Sequence, residues 1–147
     1  GLPESKHLLL MIGRFDFLKG YDILFEAVKC SADSLRRNGV IIALIGDGEE
    51  RPRFERMARK HSLGDTLFFC GGRSEAKRFL PLADGLLLPS RWEGLPLVAL
   101  EAGICGVPVI GAAVPGIASL LEEGRTIQSN TTSRWVHCCI SSSIAST

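Results

Sequence analysis

The sequence predicts an α/β domain built on a doubly wound parallel sheet, and three observations carry that reading. Short apolar runs recur at residues 8–12, 40–45, 66–70, 86–88 and 107–110 with little polar alternation, as in strands buried on both faces. Amphipathic stretches separate these runs, and Gly- or Pro-bearing turns close them. A chain of 147 residues that is 46% hydrophobic also has enough material for one sizeable core.

The first run, residues 8–12, ends at Gly13-Arg14. Residues 15–20 then make a loop, and residues 21–35 read as a helix with Ile23, Leu24, Ala27 and Val28 on one side. Ligands of open parallel sheets sit beyond the carboxyl ends of the strands, so Arg14 and Lys19 stand where phosphates would lie. Ordinary solvated charge is the alternative reading of both. Residues 40–45 form a second strand closed by Gly46-Asp47-Gly48-Glu49. That is a tight turn rather than a dinucleotide fingerprint, because Arg51 stands where the third glycine would be. Its acidic residues favour the start of the next helix, residues 51–63. Phe54, Met57, Ala58 and His61 share one side of this helix and Arg53, Arg56 and Lys60 another, with Glu55 and Arg59 a favourable spaced pair. The basic side reads as a solvated face, with anionic lipid or nucleic acid as the alternative.

Residues 66–70 are the third strand and run into Gly71-Gly72-Arg73, where two glycines allow close backbone approach or simply a turn. Residues 74–83 read as a short helix that Pro81 kinks or ends. The fourth strand, residues 86–88, leads into Pro89-Ser90-Arg91-Trp92-Glu93-Gly94-Leu95-Pro96-Leu97, which turns into a helix with Pro96 near its first position. A helix start offers unpaired N–H groups and the positive end of the helix dipole to a phosphate or other anion, and Gly94 lets such a ligand come close to the backbone. Glu93 precedes this start. Glu101 lies roughly 9 Å along the axis from Leu95, with its side chain leaning back toward the anion. Ionised carboxylates only accept hydrogen bonds, which suits pairs of sugar hydroxyls, so one glutamate on each side of a phosphate fits a nucleotide sugar. Taken singly, each glutamate also reads as a solvated residue. The helix ends near Cys105 with Gly106 as an αL cap, residues 107–110 make a fifth strand, and a last helix opens at Gly116 and stops by Gly124.

A Pro-Ser closing a strand, Glu93-Gly94, the apolar-Pro-apolar run Leu95-Pro96-Leu97 and a second glutamate at Glu101 together resemble the signature of the retaining glycosyltransferases of family 4, which have the GT-B fold. Gly13-Arg14 followed by Lys19-Gly20 after a first strand is similar to that family as well. The resemblance covers roughly residues 8–124 and implies a Rossmann-like sheet, the C-terminal, donor-binding half of a GT-B enzyme. It implies transfer of a sugar from a nucleoside diphosphate sugar to an acceptor with retention at the anomeric carbon. Arg14 and Lys19 would hold the diphosphate, Glu93 the donor sugar as the catalytic group, and Glu101 the ribose. The loop at Gly72 would lie against the base, and Gly13, Gly94, Leu95 and Leu97 would complete the donor site. The resemblance further implies that the acceptor-binding N-terminal half is a required partner, without which this half is inactive, and leaves room for peripheral membrane association of the full-length enzyme. A nucleotide-sugar binding module without catalysis of its own is the alternative function. A hydrolase using both glutamates and a pure interaction domain are further ones.

A net charge of +1 gives no electrostatic case for nucleic acid as the main partner. No basic-apolar-small succession marks a signal peptide, and no apolar run approaches the roughly 18 residues of a membrane span, so a cytoplasmic domain is expected. Cys30, Cys70 and Cys105 read as small buried hydrophobes. His7, His61 and His137 are scattered and no Asp-x-Asp occurs, so neither a metal nor a cofactor beyond the substrate is expected. Residues 125–147 change character. They are rich in Ser and Thr, carry Trp135 and Cys138-Cys139 without periodicity, and read as a divergent, disordered tail of the kind a truncation or a shifted reading frame would produce.

Overall fold

A computed structural model describes residues 7–112 and 114–123. Five parallel strands, β1 (His7–Ile12), β2 (Val40–Ile45), β3 (Leu67–Gly71), β4 (Gly85–Leu88) and β5 (Val109–Gly111), form one sheet in the order β3-β2-β1-β4-β5. Helices α1 (Tyr21–Arg37), α2 (Arg51–Lys60), α3 (Leu97–Ile104) and α4 (Pro115–Glu123) connect or follow them, with 3-10 turns at Phe17–Lys19 and Ala76–Leu82. This is the expected doubly wound, Rossmann-like α/β sheet. Among the described residues no helix is long and apolar enough to cross a membrane.

The period-two alternation of strand side chains divides the core into two layers. Met11, Ile42, Leu44 and Leu87 point to the face covered by α1 and α2, where Phe15, Tyr21, Phe25 and Phe54 pack together. Their neighbours Leu10, Ala43, Ile45, Leu86 and Leu88 point to the other face, against Leu80, Ala99, Ala102 and Ile117. Phe15 and Tyr21 stack with ring centroids 3.8 Å apart, and the Tyr21 hydroxyl donates to the Gly13 carbonyl at 2.8 Å. Burial of that phenol raises its pKa well above the usual range, so it stays a neutral donor. The hydroxyl thereby fixes the end of β1 to the first turn of α1.

Several boundaries differ from the sequence reading. The short helix expected over residues 74–83 spans only residues 76–82 and is a 3-10 segment, in which Pro81 has no N–H to give to an α-helical bond. The regular strand β5 starts at Val109, although the Pro108 carbonyl already accepts from Leu86 at 2.8 Å. Cys30 and Cys105 are exposed and Cys70 is only half-buried, so the cysteines are not the buried hydrophobes expected. Cys30 lies on the outward side of α1, and Cys105 follows α3, whose Ala102 and Gly103 take the buried positions. His61 is exposed as well, at the end of α2, and the core position is taken by Leu63 beyond it. Gly106 has φ +72°, the left-handed conformation expected after α3. The Ser- and Thr-rich segment after Gly124, with Trp135, Cys138 and Cys139, lies outside the described residues.

Phe54 is fully buried between α1 and the sheet, in contact with three other aromatic rings. Phe54→Ala should therefore cost about 3 to 5 kcal/mol in urea unfolding. Ile104→Ser, at a side chain 76% exposed, should stay within about 0.5 kcal/mol of the parent.

Candidate functional site

β1 lies between β2 and β4, and the chain leaves β1 for α1 on one face of the sheet while it leaves β4 for α3 on the other. The strand order therefore reverses between β1 and β4, the topology that places a ligand crevice beyond their carboxyl ends. Two loops form its walls, residues 13–20 after β1 and residues 89–96 after β4. The backbones touch. Gly20 has φ +71°, and a Cβ there would come within 2.0 Å of the Pro89 carbonyl oxygen, so only glycine fits. At the far side, a Cβ on Gly116 at the start of α4 would lie 2.1 Å from the Glu93 carbonyl oxygen.

This approach brings Lys19 and Glu93, residues 74 apart in sequence, into direct contact. The Lys19 ammonium donates to Glu93 Oε1 at 2.7 Å, and the buried Ser90 hydroxyl donates to the same oxygen at 2.7 Å. Glu93 is 9% exposed, yet none of its side-chain oxygens is both buried and unbonded among the described residues, so its second oxygen keeps solvent contact and free acceptor capacity. Lys19 ends the 3-10 turn that Asp16 caps, with the Asp16 carboxylate accepting from the Lys19 amide at 3.1 Å. The aliphatic stem of Lys19 lies over Gly13, where even a Cβ would make only ordinary contact with it at 3.6 Å. An ammonium has three donors and Glu93 takes one, so two remain for a ligand's oxygens.

The other predicted residues sit around this pair. Arg14 is exposed at the end of β1 and forms no ion pair among the described residues. Gly94, Leu95 and Leu97 are exposed at the entry to α3. Pro96 is the residue before the helix, so α3 begins one residue later than expected, and the amides of Leu97 and Val98 have no hydrogen-bond partner among the described residues. Glu101 is then about 6 Å along the axis from the first helical residue, Leu97, instead of the roughly 9 Å expected from Leu95. It is half-buried and pairs with Lys77 at 3.8 Å, across to the segment that follows β3. There Gly72 is exposed and opens a recess of about 410 Å³ lined also by Arg73, Ser74, Glu75, Arg78 and Phe79. A larger groove of about 530 Å³ lies between apolar side chains of β1, β2 and β3 and Phe79 and Leu82, and it shares Arg73 and Phe79 with the recess at Gly72. Among the described residues no three of His, Cys, Asp or Glu converge as a metal-ligating group.

Sequence reasoning missed Ser90, Arg91, Asp22 and Gly116. Only the motif's shape could have drawn attention to Ser90 and Arg91, since Ser90 lies three residues before Glu93 and Arg91 two. Arg91 reaches across to α1. It donates to both carboxylate oxygens of Asp22 at 2.7 and 2.6 Å and to the Phe17 carbonyl at 3.0 Å, while its guanidinium stacks 4.1 Å from the Phe17 ring centroid. Its hydrogen bonds hold the Asp22 carboxyl below the usual carboxylate range, more than offsetting the opposing effect of burial.

The family model described as "Glycosyl transferases group 1" matches residues 1–134. The chain belongs to this family of glycosyltransferases. It is 34% identical over 124 residues to the lipopolysaccharide glucosyltransferase WaaG of Escherichia coli K12, a match that covers 84% of this chain and 32% of that protein. Superposition on the crystal structure of WaaG gives a TM-score of 0.70 at 33% identity, over 83% of this chain and 32% of the other. The pneumococcal O-GlcNAc transferase GtfA, solved in complex with UDP and GlcNAc, is similar at a TM-score of 0.69 and 25% identity, over 76% of this chain and 21% of that one. These neighbours bear out the C-terminal, Rossmann-like half of a GT-B fold. The group 1 domain spans about a third of the length of the curated relatives it matches.

Two expectations follow for the unliganded glycosyltransferase domain. A double-mutant cycle of Lys19→Met and Glu93→Gln, read by urea unfolding, should show a favourable coupling of about 1 to 3 kcal/mol, because each partner otherwise leaves a shielded charge short of its bond. The second concerns pH. Since Asp22 is depressed in the folded state, its ion pair stabilises the fold above the unfolded Asp value of about 3.9, and the contribution is lost as pH falls through the folded value. The stability gap between the parent and Asp22→Asn should thus be widest near neutrality and close below about pH 4, as unfolding midpoints across that range will report.

Proposed function

We propose that this domain is the donor-binding half of a retaining glycosyltransferase of family 4, and that it takes a nucleoside diphosphate sugar in the β1/β4 crevice. The observation that carries the reading is the Lys19 ammonium, 2.7 Å from the Glu93 carboxylate at the mouth of the crevice, next to unpartnered amides at the start of α3. Cation and helix start together suit the diphosphate, which must also leave as an anion when the sugar is transferred. Arg14 adds a second, movable charge. Glu93 keeps an acceptor free and takes donor-sugar hydroxyls. Glu101 takes the ribose, and the base lies toward the recess at Gly72. In the transfer, the bond from the anomeric carbon to the phosphate oxygen breaks and a bond to an acceptor hydroxyl oxygen forms on the same face of the ring, with the acceptor's proton passing to the leaving phosphate. Positive charge from Lys19, Arg14 and α3 stands in for a metal, so binding survives chelation by EDTA.

The acceptor side of the reaction belongs to the remaining two thirds of a protein the size of the relatives. By itself this domain binds the donor and does not turn it over. That makes it a nucleotide-sugar binding module when isolated and half of an active site in its full-length parent.

Calorimetry with UDP, GDP and ADP and their glucose conjugates tests the reading. Glu101→Gln should weaken free nucleotide and nucleotide sugar by similar factors, because both carry the ribose, whereas Glu93→Gln should weaken the nucleotide sugar selectively. Each loss should be on the order of fivefold to thirtyfold, about 1 to 2 kcal/mol. Equal losses for both ligands with Glu93→Gln would remove Glu93 from the donor sugar, and no binding of any of the six would overturn the function itself.

A further inference from the structure

Two struts join the loop after β1 to the loop after β4. The inner one is Lys19 to Glu93 at 2.7 Å. The outer one is made by Arg91, two residues before Glu93. Its guanidinium bonds both oxygens of Asp22 and the Phe17 carbonyl and sits 4.1 Å over the Phe17 ring centroid, and its amide donates to the Leu18 carbonyl at 2.8 Å. Every one of these contacts falls on residues 17–22, the segment that carries Lys19. The inner strut is made of the two groups that a bound ligand would engage, so ligand and strut compete for the same charges. The outer strut has no such competitor.

We propose that Arg91 and Asp22 act as a positioning pair that keeps the Lys19 loop seated against the Glu93 loop when a donor's phosphate draws Lys19 away from Glu93. This rests on the donor-binding reading of the crevice and adds to it a group that touches neither phosphate nor sugar. The geometry requires an arginine. A planar fork bonds a carboxylate at two points, reaches a carbonyl from the same edge and stacks on a ring, while an ammonium of equal charge can do only part of this. The anchor is also well placed mechanically, because Asp22 is in the first turn of α1 and Phe17 opens the 3-10 turn, so the strut brackets Lys19 on both sides. Without the Arg91 side chain, the seating of the loop depends on the Arg91 amide's bond to the Leu18 carbonyl, on the Gly20–Pro89 contact and on the very ion pair that ligand binding disturbs.

The test has a ligand-free arm and a ligand arm, both on the whole chain. In the first, the Lys19–Glu93 coupling is measured by double-mutant cycle in the parent, in Arg91→Lys and in Asp22→Asn. The coupling constant should fall at least threefold in both backgrounds, although neither residue touches Lys19 or Glu93; a role in stability alone would lower the unfolding midpoint and leave the coupling unchanged. In the second, UDP and UDP-glucose are titrated into the same variants. Both ligands should lose about threefold to tenfold in affinity with Arg91→Lys and Asp22→Asn, and the charge-swapped pair Arg91→Asp with Asp22→Arg should recover part of the coupling. An unchanged coupling in both variants overturns the proposal. Failure of the parent to bind either nucleotide would count against the donor-binding reading, while the ligand-free arm would still decide whether Arg91 positions the loop.

Discussion

The Gly20 backbone lies so close to the Pro89 carbonyl that no side chain fits between them, and the chemistry at the carboxyl edge of the sheet depends on that contact. β1 and β4 are neighbours because the strand order reverses between them. The loops that leave these two strands approach so closely that a Cβ on Gly20 would lie 2.0 Å from the Pro89 carbonyl oxygen. Gly20 adopts a left-handed conformation that also ends the 3-10 turn and releases the chain into α1. Lys19, the residue before it, is thereby aimed across the crevice rather than out into solvent. The 2.7 Å ion pair to Glu93 is a consequence of this close backbone contact.

The pair then sets the electrostatics of the unliganded crevice. Glu93 is largely buried and would be costly to keep ionised without a partner, and Lys19 and Ser90 both donate to one of its oxygens. The other groups are left outward. Arg14 stays exposed, the first amides of α3 stay unpartnered, and Glu101 keeps only a long contact to Lys77. On the proposed donor reading, an anion arriving here meets a Lys19 ammonium that is already partly shielded and held in place by Glu93.

Much of this was legible in the sequence, for reasons that can be named. The strands announced themselves as apolar runs because a sheet covered on both faces needs them. Lys19 could be placed at the candidate site because ligands gather beyond the carboxyl ends of parallel strands, and Glu93 because it precedes a helix start. Their mutual bond could not be read, since it requires knowing that β4 lies beside β1, and nothing local in either loop says so. Arg91 looked like a loop residue for the same reason: its partner Asp22 is 69 residues away and only the strand order brings them together. Local periodicity misjudged Cys30, Cys105 and His61, each of which lies in or beside an apolar stretch yet faces outward once the helix docks. The short helix expected over residues 74–83 is present as a 3-10 helix over residues 76–82, with Pro81 inside it rather than at its end.

Amide chemical-shift mapping of the isotopically labelled chain titrated with UDP-glucose tests most directly whether the β1/β4 crevice is the donor site. The largest shifts should fall on Gly13 to Gly20 and on Gly94 to Val98, with a second group at Gly72 and Arg73 that UDP alone reproduces, and the Lys19 and Glu93 side-chain signals should move together. Shifts confined to the apolar groove around Leu8, Phe68 and Leu82, or no saturable shifts at millimolar ligand, would contradict the assignment of this crevice to a nucleotide sugar.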